Sequence, residues 1–153
     1  MRKLKGLEDV VGLSVVHPTW KLSKPEKDEH IGWAFGDSKT PVSNPNGFGN
    51  NQVSDIVPEP FYGAKTIREL YDLAGDTAGA YSVPLLWDKK EKTIVSNESA
   101  DIVQMFNSEL NEFAKNKTLD LAPTRLHKAM ADVDGWIYDN INNGVYRCGF
   151  ANT

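Results

Sequence analysis

Apolar positions fall into short groups set apart by polar and turn-forming stretches. The first group is Gly12-Leu13-Ser14-Val15-Val16, preceded by a short charged, helix-like piece. A β-branched run bounded by Gly12 and by His17-Pro18 predicts one buried strand over residues 12–16. Residues 36–63 are dense in Gly, Pro, Asn and Ser and hold neither a period of two nor one of 3.6, which predicts an extended loop. Loops of this length are often functional or disordered. Thr66 and Glu69 then form a capping-box pair ahead of Ile67, Leu70, Tyr71 and Leu73, with Gly75 closing a short helix. Tyr81 to Trp87 reads as a strand interrupted by Pro84. A charged turn over residues 88–92 and a second strand, Thr93-Ile94-Val95, complete an antiparallel hairpin. Ile102, Val103, Phe106, Leu110 and Phe113 recur at helical spacing, so a helix opens near Asn97 and ends at the lysines of residues 115–117. The last helix starts around Pro123 and carries the stripe Leu126, Met130, Val133, Ile137 and Ile141, with Trp136 beside it. Asn142-Asn143-Gly144 is its stop signal.

Composition narrows the function classes. The 153 residues are 40% hydrophobic and 25% charged, the profile of a soluble globular chain of one-domain length. Twenty-one acidic against 17 basic side chains leave a net charge of −4, which argues against a nucleic-acid or anionic-membrane partner. Cys148 is the single cysteine, so no internal disulfide forms and a reducing, cytoplasmic setting is expected. Glu8 and Asp9 interrupt any signal-peptide core. His17, His30 and His127 stand far apart and no Cys pair exists, so no metal is expected; His127 reads as a solvated surface residue. Gly47-Phe48-Gly49 is too short for a nucleotide fingerprint. Cys148, between Arg147 and Gly149, lies in no setting that marks a nucleophile.

Two local features point to chemistry. Val83-Pro84 lies inside an apolar strand, where a proline implies either an edge or a cis bond. A cis bond there leaves the Val83 backbone free to pair with an extended peptide ligand; an ordinary edge-strand proline is the alternative. Ser96-Asn97-Glu98-Ser99 opens a helix directly after a strand, where free N–H groups and the helix dipole attract carboxylates. The Ser99 hydroxyl adds a donor and the Glu98 carboxylate takes an ammonium, a combination suited to a free α-amino acid end. The alternative is that Asn97 caps the helix and Glu98 merely compensates its dipole.

With their neighbours, these features form a pattern. The order SVPLLWDKKEKTIVSNESADIVQMFN followed by GWIYDNINNGVYRCGFA resembles the glutathionyl-hydroquinone reductases, a glutathione transferase branch related to the omega class. LKGLEDVVGLSVVHPTW and Gly32-Trp33-Ala34-Phe35 support the resemblance, which covers nearly all of the chain outside residues 36–63. It implies a thioredoxin-like glutathione-binding domain over residues 1–117 and the start of an all-α domain over 118–153. It implies a cis bond at Pro84, a Val83 backbone paired with the cysteinyl unit of glutathione, and Glu98 and Ser99 on the γ-glutamyl end. Trp33 is similar to the tryptophan that lies against glutathione. Tyr138 resembles a tyrosine facing the aromatic hydroquinone substrate, with Tyr146 a second candidate.

The reaction that the resemblance implies is glutathione-dependent reduction of S-glutathionyl-hydroquinones. A cysteine thiolate attacks the thioether-bound glutathione, the hydroquinone leaves, and a second glutathione resolves the mixed disulfide. That cysteine belongs to a Cys-Pro-Trp-Ala motif upstream of the RKLKGLED stretch, and no such motif occurs in these 153 residues. The expectation is therefore a member truncated at both ends, lacking the first strand of the thioredoxin-like domain and most of the all-α domain. Glutathione is expected as co-substrate, and the family's homodimer is doubtful for so short a chain. Ala80 stands four residues before Pro84, where relatives often carry an arginine. The alternatives are a non-catalytic glutathione-binding or interaction module and a non-functional fragment.

Overall fold

Two apolar clusters organise the chain, seen in a computed structural model that describes residues 1–43 and 49–151. The first forms where helix α1 (Arg2–Lys5) meets helix α3 (Ser99–Asn107): Leu7, Ile102, Phe106 and Ala114 are buried together, with Leu86 and Leu110 against them. The second centres on helix α2 (Ile67–Leu73), where Ala64, Ile67, Leu70 and Tyr71 are buried beneath Trp33, Tyr81, Val83 and Trp87.

Three antiparallel strand pairs surround these clusters. Strand β1 (Lys21–Leu22) pairs with β2 (Ile31–Gly32), β3 (Val42–Ser43) with β4 (Asn50–Asn51), and β5 (Leu86–Asp88) with β6 (Thr93–Ser96). The expected hairpin is the β5–β6 pair. Its turn is set by Asp88, whose carboxylate accepts the N–H groups of Lys90 and Glu91 at 2.7 and 2.9 Å. Those bonds, Glu91 first, hold the Asp88 carboxyl below its ordinary pKa.

Several elements differ from the pattern reading, each for a physical reason. Residues 12–16 form no strand: Val15 makes one parallel bridge to Ile56, and Leu13 is 70% exposed. A ladder needs consecutive pairings, and here the neighbouring backbone bonds diverge, His17 N–H to Ala34 and Val57 N–H to Val15. Residues 81–85 are irregular, and the strand begins only at Leu86. Thr66 starts α2 without a side-chain cap; its hydroxyl is buried without a partner among the described residues, while Glu69 reaches Lys65 N–H at 2.8 Å. Thr66 is held extended by its bridge to Ala34. Gly75, at φ 73°, ends this helix as expected, because Asp76 N–H can then reach back to Tyr71 C=O.

Helix α3 stops at Asn107, and a 3-10 turn over Asn111–Phe113 replaces its predicted continuation, leaving Val103 and Phe113 exposed. Ser108 ends it by bonding its hydroxyl back to Gln104 C=O at 2.9 Å. The last helix follows a 3-10 turn at Thr124–Leu126 and runs as α4 (His127–Ile137), a wider π-type turn (Tyr138–Asn142) and α5 (Asn143–Gly149). Its first helical residue is later than Pro123, and it passes through Asn142-Asn143-Gly144 instead of stopping. The five-residue wide turn absorbs those weak helix formers without a break. Within residues 36–63, the β3–β4 pair and the buried Ile56 anchor the loop; residues 44–48, including most of Gly47-Phe48-Gly49, lie outside the described residues. No helix among the described residues is long and apolar enough to cross a membrane.

Lys5 ties the chain's beginning to the segment after α3. It is 1% exposed, and its ammonium donates to Asn111 Oδ1 and to Leu119 C=O, both at 2.6 Å. Gly6, at φ 66°, lets the chain pass so close to Lys115 that an added Cβ would stand 2.8 Å from that side chain. Replacing Lys5 by Met keeps the volume but leaves two acceptors without their donor. The expected cost is about 2 kcal/mol, read as a lower urea midpoint with an unchanged slope.

Candidate functional site

The site is built around Ser82. Tyr71, 2% exposed on α2, donates its hydroxyl proton to the Ser82 carbonyl at 3.0 Å. Asn97, delivered by β6, donates from Nδ2 to the Ser82 hydroxyl at 3.0 Å. One residue thus fixes the 80–85 segment against both α2 and the start of α3. The next peptide bond, Val83–Pro84, is cis, as the sequence reading proposed. The Val83 side chain packs on the α2 cluster. Among the described residues, neither its N–H nor its C=O meets a hydrogen-bond partner.

At the start of α3 the Ser96 hydroxyl accepts Glu98 N–H at 3.0 Å, and Glu98 C=O begins the helix by accepting Ile102 N–H at 3.0 Å. Glu98, not Asn97, occupies the capping position, and it makes no side-chain cap. Asn97 is engaged with Ser82 instead, so the alternative in which it caps the helix does not hold. Glu98 and Ser99 are exposed at the open N-terminal turn, whose first N–H groups have no intrahelical acceptors. The arrangement offers an irregular backbone, unpartnered at Val83 among the described residues, beside an anion-attracting helix start that carries one carboxylate and one hydroxyl.

Trp33 lies half-buried on the same α2 cluster, its backbone locked by Ile67 N–H to Trp33 C=O at 2.9 Å. Its ring meets Trp20 edge-on, with centroids 5.7 Å apart. Tyr138 and Tyr146 stand apart, exposed on the π-type turn and on α5; Tyr146 stacks on Phe150, and no ring contact or hydrogen bond among the described residues joins either tyrosine to Val83 or Glu98. Cys148 is exposed on α5. The described residues contain no group of three His, Cys, Asp or Glu placed to hold a metal ion.

The residues behind the site escaped sequence reasoning. Arg68, 7% exposed on α2, holds both Asp28 oxygens at 2.6 Å and donates to the Ser23 hydroxyl at 3.2 Å. Its guanidinium carbon lies 5.2 Å from the centroid of the Tyr81 ring. The Arg68 bonds, joined by the His30 N–H, lower the Asp28 pKa to about 2. Forty residues separate the partners, and Asp28 lies in a charged stretch that gives no local sign of the pairing.

The chain is similar to known proteins over nearly its whole length. No family model matches the chain. Glutathione S-transferase omega-like 2 of Schizosaccharomyces pombe is 36% identical over 100% of this chain and 43% of its own length. The glutathionyl-hydroquinone reductase YqjG of Escherichia coli is 39% identical over 99% of the chain and 39% of its own length. Among solved structures, the Xi glutathione transferase ECM4 of Saccharomyces cerevisiae, in complex with glutathione, superposes with a TM-score of 0.79 at 35% identity, over 99% of this chain and 47% of that one.

Over its whole length the chain is similar to glutathionyl-hydroquinone reductases and omega-like glutathione transferases. It spans less than half the length of the curated relatives it matches. Its fold is the glutathione transferase one, a thioredoxin-like part followed by a short helical part, here with short strand pairs and single bridges among the described residues. The sequence reading placed the family near the omega class; curated relatives are named omega-like, and the solved neighbour is named a Xi-class transferase.

The Arg68–Asp28 pair predicts an acid dependence. Because the folded pKa of Asp28 is depressed, its contribution to stability is complete above the ordinary value near 3.8 and is lost as pH falls through about 2. Thermal melts of the wild type and Asp28→Asn should differ by a constant amount between pH 5 and pH 7. That gap should narrow below about pH 4 and close below about pH 2.

Proposed function

We propose that this chain binds glutathione along Val83 and the start of α3, as its part in glutathione-dependent reduction of S-glutathionyl-hydroquinones. The observation that carries the reading is the unpartnered Val83 backbone, held beside the open α3 turn by the Asn97–Ser82 hydrogen bond. The Val83 N–H and C=O pair with the cysteinyl unit as a short antiparallel strand would. Glu98 receives the γ-glutamyl ammonium, while Ser99 and the α3 N–H groups receive its carboxylate. Trp33 supplies an apolar wall. In this reading residues 1–117 form the glutathione-holding domain, and residues 118–153 open an all-α domain that turns Tyr138 and Tyr146 toward the hydroquinone.

Glutathione-bound relatives of the same fold support the ligand, and the reductase name of a relative supports the reaction. The chemical step needs a cysteine thiolate to take the glutathionyl group and a second glutathione to release it as the disulfide. Cys148 has no role in it, lying exposed on α5 away from the Val83 backbone in sequence and in contacts. A non-catalytic glutathione-binding module would use the same four residues, and turnover of a glutathionyl-hydroquinone by the chain separates the two.

The 153-residue chain should be retained on immobilised glutathione and eluted by free glutathione. Glu98→Ala leaves the ammonium without its counter-charge and should weaken binding at least about tenfold by calorimetry. Equal retention of wild type and Glu98→Ala would place the ligand elsewhere.

A further inference from the structure

A buried arginine paired with a half-exposed aspartate touches none of the residues proposed to meet glutathione, yet ends on an aromatic cluster at Tyr81, two residues before Val83. Arg68 grips Asp28 through both oxygens at 2.6 Å, and Ser23 takes a third bond. Its Nε–H is buried without a partner among the described residues, so satisfying the guanidinium's own donors does not fully account for its position. What the guanidinium does meet is the face of Tyr81, 5.2 Å from the ring centroid. The edge contacts of that ring are Tyr71 at 5.6 Å and His30 at 5.1 Å. Tyr81 is therefore held on three sides, and Ser82 and Val83 follow it directly.

We infer that Arg68 is a positioning residue for glutathione, acting through the face of Tyr81 to fix the backbone of Ser82 and Val83. The inference rests on the glutathione reading above and adds a residue to it. A planar guanidinium can satisfy both demands at once, a fork onto a carboxylate and a flat face onto a ring. An ammonium can satisfy one of them as a point charge. Tyr71 fixes the same segment from its other side through the Ser82 carbonyl. With the ring free to turn, that bond, Asn97 and the packing of the Val83 side chain would restrain the segment less tightly, and an extended ligand needs both of its backbone groups in register.

The test is a double-mutant cycle read as glutathione affinity by calorimetry, with thermal melts recorded alongside. Arg68→Lys should weaken glutathione binding about tenfold. In a Tyr81→Phe background, which keeps the ring, that loss should persist. In a Tyr81→Leu background it should fall to less than about twofold, because the element through which Arg68 acts is gone. A merely structural Arg68 would lower the melting temperature yet give the same affinity loss in both backgrounds, and that outcome, or no loss at all, overturns the inference. If Arg68→Lys loses its cooperative melt, Asp28→Asn loosens the fork from its other side and must show the same dependence on the Tyr81 ring. A wild-type chain that takes up no glutathione overturns the site itself and the inference with it, whereas wild-type binding with an unchanged Arg68→Lys overturns the inference alone.

Discussion

The backbone carbonyl of Ser82 accepts from Tyr71 while its hydroxyl accepts from Asn97, so α2, the 80–85 segment and the start of α3 share one point of attachment. No regular strand holds residues 81–85, and the apolar cluster beneath them is small. In a sheet, ladder bonds would hold such a segment and also consume its N–H and C=O groups. Here side chains hold it, and the Val83 backbone stays available. The irregularity that makes the segment a poor strand is also what leaves the Val83 N–H and C=O without partners among the described residues.

A second trade is made in charge. The buried cations, Lys5 and Arg68, each meet two well-placed acceptor atoms at distant points of the chain. The candidate anion-binding surface, the open turn of α3, is left to backbone dipoles with Glu98 beside it. Fixed positive side chains are thus spent on architecture, and a net charge of −4 is compatible with holding a zwitterionic ligand.

Much of the site was legible because its signals are local. Val83-Pro84 and Ser96-Asn97-Glu98-Ser99 are contiguous words whose backbone consequences follow from proline and helix-start chemistry, and the β5–β6 hairpin is set by the Asp88 turn. Elements that depend on distant partners were misread. Residues 12–16 have the composition of a strand but find only one bridging residue, Ile56. Thr66 and Glu69 have the spelling of a capping box, yet the Thr66 hydroxyl makes no cap and Glu69 accepts from Lys65 N–H, one residue earlier than the box requires. The Arg68–Asp28 fork and the Tyr81 stack left no trace in periodicity, because a pairing forty residues apart has no pattern to show. The Asn142-Asn143-Gly144 signal failed for another reason: a wide turn can carry weak helix formers through without ending the helix.

The clasp made by Lys5 sets an order on events in the cell. Its two acceptors are 106 and 114 residues away in sequence, whereas the cluster around α2 draws its partners from residues 16–94. During synthesis the α2 cluster has all of its members well before residue 119 leaves the ribosome, and closing long loops is slow compared with forming local contacts. The nascent chain therefore carries α1 unlatched while the α2 cluster takes shape. An element made ahead of its anchors is thus among the last to be secured.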